Sequence, residues 1–360
     1  MLKMLQHWFA AASNPTSSFH HPSAPGSQSR VAVTLDELIA LQAGSRGISL
    51  MSARVKNNSI TGAHPSRFRG RGMDYLESRS YQPGDDVRSM DGRVTARAGS
   101  PYVKMYEEER ERPVMLLVDF NPGMFFATRG AFKSVIAARL AALIAWAGVA
   151  NGDRIGGLVF NGNHLELQPR GGSKGALHLF RLLVQAADPV AGTQAIVNMQ
   201  HNTAPQPGGN QGHGSEQNSL GSALQRCRRV SRPGSLIFIL SDFYQLNEET
   251  KAELLRLRQH NDVVAIQIMD PLELTPPPSA RYGVSDGQHD GIIDTRKRSQ
   301  RDDYLAWCKQ HHAEIEQAMR KRAIPLLQVA TTDDVGAVLR QFMPSVRSRS
   351  NQAAALQAAS

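Results

Sequence analysis

The residues of this 360-residue chain best suited to chemistry are two aspartates, each closing an apolar run. Asp119 ends the run at 114–118, and Asp242 follows Ser241 and the run SLIFIL at 235–240. Runs of this kind read as strands buried on both faces, and open α/β sheets keep their ligands at the carboxyl ends of such strands. If the two strands are neighbours, Asp119 and Asp242 come together. With Asn121 from the turn after the first strand and Ser173 from a later loop, they make an oxygen-rich cluster that suits a hard divalent cation such as Mg²⁺. The same residues also make a polar strand-end cluster without metal. The carboxylate pair alone would serve acid–base work in a metal-dependent hydrolase, although no substrate pocket can be read beside it.

A second constellation lies upstream, where 52–112 is dense in alternating charge. Its arginines have two readings. In one, Arg79, Arg88 and Arg97 pair with Asp85, Asp86, Asp91 and Glu108 in a structural web, since guanidinium and carboxylate groups match bidentately. In the other, arginines left unpaired present a docking surface for an acidic partner or for phosphates. A third group, Cys308, His311 and His312, has helical spacing that suits zinc, but it lacks a fourth ligand and reads as solvent-facing.

The elements that must position these groups follow from periodicity. Helices are expected at 34–44, with Thr34 and Glu37 as a capping box, and at 131–150, 220–230, 248–260, 299–322 and 333–342, the last capped by Thr332 or Asp333. A further helix follows the glycines at 171 and 172. Strands are expected at 113–119, 154–160, 164–167, 235–240, 262–269 and 325–329, and a small hairpin within 282–293. Strands alternating with helices indicate βαβ crossovers, hence an α/β, Rossmann-like, mostly parallel sheet flanked by helices. No glycine-rich phosphate motif follows the first strand, so neither dinucleotide nor P-loop chemistry is supported. The organisation predicted is a disordered tail at 1–32, a helix and small β-rich subdomain at 33–112, an α/β domain at 113–345 with a flexible loop at 198–219, and a disordered tail at 346–360.

Two cysteines far apart in sequence give no disulfide framework, and no apolar run reaches bilayer length, so a cytoplasmic location is expected. A net charge of +9 leaves nucleic-acid or anionic-surface binding open as an alternative function. Few aromatics are interleaved among the arginines, which makes nucleic acid the weaker reading.

A buried strand ending in Asp, a helix, and a later strand ending in Ser-Asp resemble the von Willebrand factor A fold and its metal-ion-dependent adhesion site. More specifically, RSYQPGDDVRSMDGRVTAR, YVKMYEEERERPVMLLVD, SDF and DPLE resemble the family called Domain of Unknown Function number 58, over 38–342. The resemblance makes Arg79, Tyr81, Pro83, Gly84, Asp85, Asp86, Arg88, Asp91 and Arg97 a partner-binding or structural motif. It makes Asp119, Asn121, Ser173 and Asp242 a degenerate metal site. Where the adhesion site has Asp-x-Ser-x-Ser, this chain has Asp119, Asn121 and Gly123; where the family has Ile-Asp-Trp, it has Met90, Asp91 and Gly92. Mg²⁺ is accordingly expected to be absent or weak. The resemblance implies a non-enzymatic adaptor or chaperone-like protein partnered with a MoxR-type AAA+ ATPase.

Overall fold

The computed structural model describes residues 29–50, 73–83, 85–108, 113–161, 164–188, 219–285 and 290–344. Apart from 29–32 and Ser219, the expected tails and the loop at 198–219 lie outside these residues, as does Gly84 of the upstream motif. The chain divides into two compact units, a small one within 58–111 and a large one made of the rest.

In the small unit, β1 (Met73–Ser80) and β2 (Tyr102–Glu108) form an antiparallel pair with an irregularity between Tyr75 and Glu77. The charged stretch between them holds a short helix that the sequence reading lacks. The Asp91 carboxylate accepts from the backbone N–H groups of Arg93 and Val94, which caps α2 (Gly92–Ala98), and Gly99, at φ +69°, ends it. The label α1 belongs to Leu35–Ala40.

The sequence organisation places that helix within 33–112, while its shortness predicts that it docks on the main body, and it does belong to the large unit. The indole N–H of Trp146 donates to the carbonyl of Leu38 (3.0 Å), and Arg139 pairs with Glu37 (2.7 Å). Glu37 therefore completes only half of the expected capping box. Its N–H takes the Thr34 hydroxyl oxygen at 3.2 Å, while its carboxylate turns to Arg139.

The large unit is a six-stranded sheet: β3 (Pro113–Asp119), β4 (Arg154–Phe160), β5 (His164–Gly171), β6 (Leu236–Ser241), β7 (Asp262–Met269) and β10 (Leu326–Ala330). The order across it is β10-β7-β6-β3-β4-β5, all parallel except the edge strand β5. The last strand label is 10 because β8 (Arg281–Ser285) and β9 (Asp290–Asp294) form a separate hairpin. Successive residues of β3 feed two cores. Val114, Leu116 and Val118 pack with α3 (Lys133–Ala150), and Met115 and Leu117 pack with α5 (Leu220–Val230) and α6 (Glu248–His260) on the other face. The label α4 is Gly172–Ala186, α7 is Arg298–Lys321, and α8 is Val335–Phe342, capped by Asp334 rather than by Thr332 or Asp333.

The spacing of large apolar residues predicts that the helix at 131–150 has a single apolar face. The structure buries α3 nearly all round, because α1, α4 and α8 cover the sides that the sheet does not. Alanine fills most of the remaining positions, and small side chains let several neighbours approach one helix at once.

Candidate functional site at the carboxyl edge of the sheet

Because β3 and β6 are hydrogen-bonded neighbours, their acidic ends meet as the sequence predicts. The Ser241 hydroxyl donates to Asp119 Oδ2 (2.6 Å), and the Asn121 N–H donates to Asp119 Oδ1 (2.8 Å). Ser241 Oγ also accepts from the N–H of Phe243 (3.0 Å), and Asp242 Oδ1 accepts from the N–H of Tyr244 (3.1 Å). The two carboxylates thus organise the loops that follow their strands. Phe243 sits at φ +58°, a rare conformation for a bulky residue, in the turn that these bonds hold.

The centre of the site is a residue that the sequence reading missed. Lys133, at the first position of α3, is fully buried; its ammonium bonds Glu273 and lies 3.6 Å from Asp242 Oδ2. Burial works against its charge, but Glu273 and Asp242 outweigh burial and hold its pKa above the ordinary lysine value. Glu273 is fixed in turn by the Asp270 N–H (3.1 Å). The Asp270 carboxylate accepts from the N–H groups of Leu272 (2.9 Å) and Thr128 (2.7 Å) and from the Thr331 hydroxyl (3.1 Å). The DPLE segment is therefore a buried acidic anchor that ties the β7 end to the loop before α3.

The opposite wall is aromatic. Tyr244 stacks on His311 with centroids 4.7 Å apart, His311 lies parallel to Trp307 at 5.5 Å, and the Tyr244 ring is 5.3 Å from Lys133 Nζ. Burial pushes the Tyr244 hydroxyl up and lowers His311 to about 4, which keeps both neutral near pH 7. The expected solvent-facing zinc trio is instead packed inward. Cys308 is buried, and His312 reaches the Glu273 carbonyl (3.1 Å) and Gln267 (3.2 Å). The cavity that Tyr244, Trp307, His311, Lys251 and Glu314 line measures about 230 Å³, below the ~300–1,000 Å³ of small-molecule pockets.

Burial first, and then repulsion from Asp242, raise the Asp119 carboxyl to about 7. The Asn121 side chain is buried, and among the described residues neither its oxygen nor its nitrogen has a hydrogen-bond partner. Gly123 brings bare backbone against Asp242; a Cβ there would lie 3.0 Å from Oδ2. Ser173 is not part of the cluster. It lies exposed in the first turn of α4, without a hydrogen bond to Asp119 or Asp242.

These residues do not fit Mg²⁺, which demands near-octahedral oxygen coordination. Asp119 is already committed to a hydroxyl and an N–H, position 123 offers no side chain, and a buried ammonium faces Asp242. Among the described residues no three His, Cys, Asp or Glu side chains converge as metal ligands.

The upstream motif splits into two kinds of residue. Arg79 pairs with Asp85 (2.7 Å), Asp85 also accepts from the Gln82 N–H (2.9 Å), and Asp86 accepts from the Arg88 N–H (3.0 Å). The Ser78 hydroxyl donates to Asp91 (2.7 Å), and that bond, with the α2 N–H groups, holds Asp91 below the usual carboxylate range. The Tyr81 N–H bonds the Pro101 carbonyl, and Pro83 is exposed in the turn. Arg88 and Arg97 take no part in the expected ion-pair web; both are exposed and pair with no carboxylate among the described residues.

Residues 77–314 match the family described as Protein of unknown function DUF58. The chain is 29% identical over 310 residues to the Uncharacterized protein Rv1480 of Mycobacterium tuberculosis and to the Uncharacterized protein Mb1516 of Mycobacterium bovis, covering 85% of this chain and 90% of each relative. Among solved structures, the conserved hypothetical protein BatB from Bacteroides thetaiotaomicron aligns with a TM-score of 0.37 at 12% identity, over 64% of this chain and 96% of that one. An aerotolerance-related membrane protein from Bacteroides fragilis aligns at 0.34 and 13%, with the same coverage.

Proposed function

This chain belongs to the DUF58 family, and from that premise we propose that it is a non-enzymatic interaction protein. In this reading the large unit is a von Willebrand A-like domain, and the chain engages a MoxR-type AAA+ ATPase as an adaptor or chaperone-like partner. The observation that carries the proposal is the division of labour within 79–97. Arg79, Asp85 and Asp91 point their bonding groups inward and build the motif. Val87, 63% exposed, and Met90, 36% exposed, stand outward with Arg88 and Arg97, whose guanidinium groups make no hydrogen bond or ion pair among the described residues. Apolar side chains beside unpaired guanidinium groups suit a protein surface that supplies carboxylates and a shallow apolar contact.

The edge of the sheet supports the same reading. Its buried charged groups Asp119, Lys133, Asp270 and Glu273 are engaged with one another or with neighbouring hydroxyl and N–H groups, and its cavity is smaller than a substrate pocket. The test uses the purified full chain and the purified MoxR-type ATPase of the same organism, with ATP or ADP, measured by calorimetry. A stable complex is expected. Arg88→Ala with Arg97→Ala is expected to weaken it at least about tenfold with only a small change in melting temperature, since these exposed side chains make no hydrogen bond or ion pair among the described residues. Absence of a complex in either nucleotide state overturns the proposal.

A further inference from the structure

We propose that the Lys133 ammonium is the resident cation of the sheet edge and stands in place of a divalent ion. A lysine at the first position of a helix has the wrong sign for the helix dipole, and full burial strips its water as well. A charge kept under both costs needs a compensating arrangement, and the surroundings supply one. Glu273 bonds the ammonium, and Asp242 Oδ2 lies 3.6 Å away. The Tyr244 ring, with its centroid 5.3 Å from Nζ, offers an electron-rich face.

The partner carboxylate is itself pre-set. Asp270, held by Thr128, Leu272 and Thr331, orients Glu273 through its N–H. The loop after β3 fits the same assignment. Gly123 puts backbone rather than a hydroxyl against Asp242 Oδ2, so that loop adds no ligand where the ammonium acts. Asn121 leaves both an acceptor and a donor unused, which suits a neutral hydrogen-bonding group better than a metal ion. A divalent ion at Asp242 would share one carboxylate with the ammonium at close range in a poorly screened site, and the two cations would repel. The site therefore meets whatever it binds without a metal bridge.

Titration of the full-length protein with Mg²⁺, and with Mn²⁺ as a paramagnetic reporter, tests this without any partner. Wild type is expected to take up no divalent ion at this edge. Lys133→Met is expected to bind one Mn²⁺, which at about a hundredfold excess over Kd raises its Tm by roughly 5–10 °C. Adding Asp242→Asn is expected to abolish that uptake. Wild-type binding that disappears in Asp119→Asn or Asp242→Asn overturns the proposal, and so does a folded Lys133→Met that takes up no ion. If Lys133→Met fails to fold, Lys133→Met with Glu273→Gln, which removes one charge of each sign, carries the same titration. Uptake by wild type, or none by whichever lysine variant folds, overturns the proposal.

Discussion

Asp119 has an unusual balance for a strand-end carboxylate: burial and Asp242 raise it to about 7 despite two hydrogen bonds to its oxygens. A folded pKa above the unfolded one means that the folded state holds the proton more tightly. Asp119 therefore costs nothing below about pH 4, where both states are protonated, and its ionisation penalises folding increasingly as pH rises toward about 7. Asp119→Asn is expected to remove that share, on the order of 2–4 kcal/mol, so that the variant gains on wild type between about pH 4 and about pH 7. Denaturant melts across that range check it, and parallel pH profiles for the two proteins would rule out the assignment. Glu273, also raised to about 7 by burial, leaves a residual slope in both. At this scale half of the site is legible in the sequence. Asp119 and Asp242 announce themselves because an apolar run ending in Asp is a local pattern. Lys133 and Glu273 do not, because they are partners across 140 positions, and nothing in the sequence near Lys133 names its counter-charge. The signal available was a lysine at the start of an apolar helix, where a basic residue is out of place unless acids from elsewhere meet it.

Between elements, the loop from β3 to α3 is held as firmly as the helix it introduces. Gly130 has φ +78°, and a Cβ there would lie 2.0 Å from the Thr331 carbonyl oxygen, so both conformation and space demand glycine. Gly130→Ala is expected to cost about 2–4 kcal/mol in urea unfolding, through strain and displacement of the β10 end. A loss under about 1 kcal/mol would mean that the loop can move away from β10. The strands and long helices follow from periodicity; α6 and β7 have the residues that the pattern predicts. The pattern gives out at α2, where Asp91 caps a helix with too few apolar residues to show a period. At α3 the spacing finds the helix but not its surroundings, because burial on nearly all sides removes the polar face that an amphipathic pattern implies.

For the whole molecule, the alternation of strands and helices indicates a mostly parallel sheet, while the order of its strands comes from the structure. That α1 docks on the main body follows from its shortness, but its contacts do not, since they lie with Trp146 and Arg139, more than a hundred positions away. A net charge of +9 bears on how the protein meets a partner rather than on how it folds. If the proposed ATPase partner presents an acidic surface, association with it is expected to slow by roughly tenfold as salt rises from ~50 to ~200 mM, with little change in dissociation. Stopped-flow kinetics check this, and a salt-independent rate would assign the binding to apolar contacts alone. The full burial of α3 also matters during synthesis. Although Lys133 and Arg139 interrupt its apolar run, its 18 residues match a membrane span in length and mean hydropathy, and 89% of that window is buried inside the protein. The ribosome makes α3 before β6, β7, β10 and α8, so this apolar helix leaves the ribosome ahead of much of its cover. The interval between the making of α3 and the making of its cover is where this chain is most exposed to aggregation.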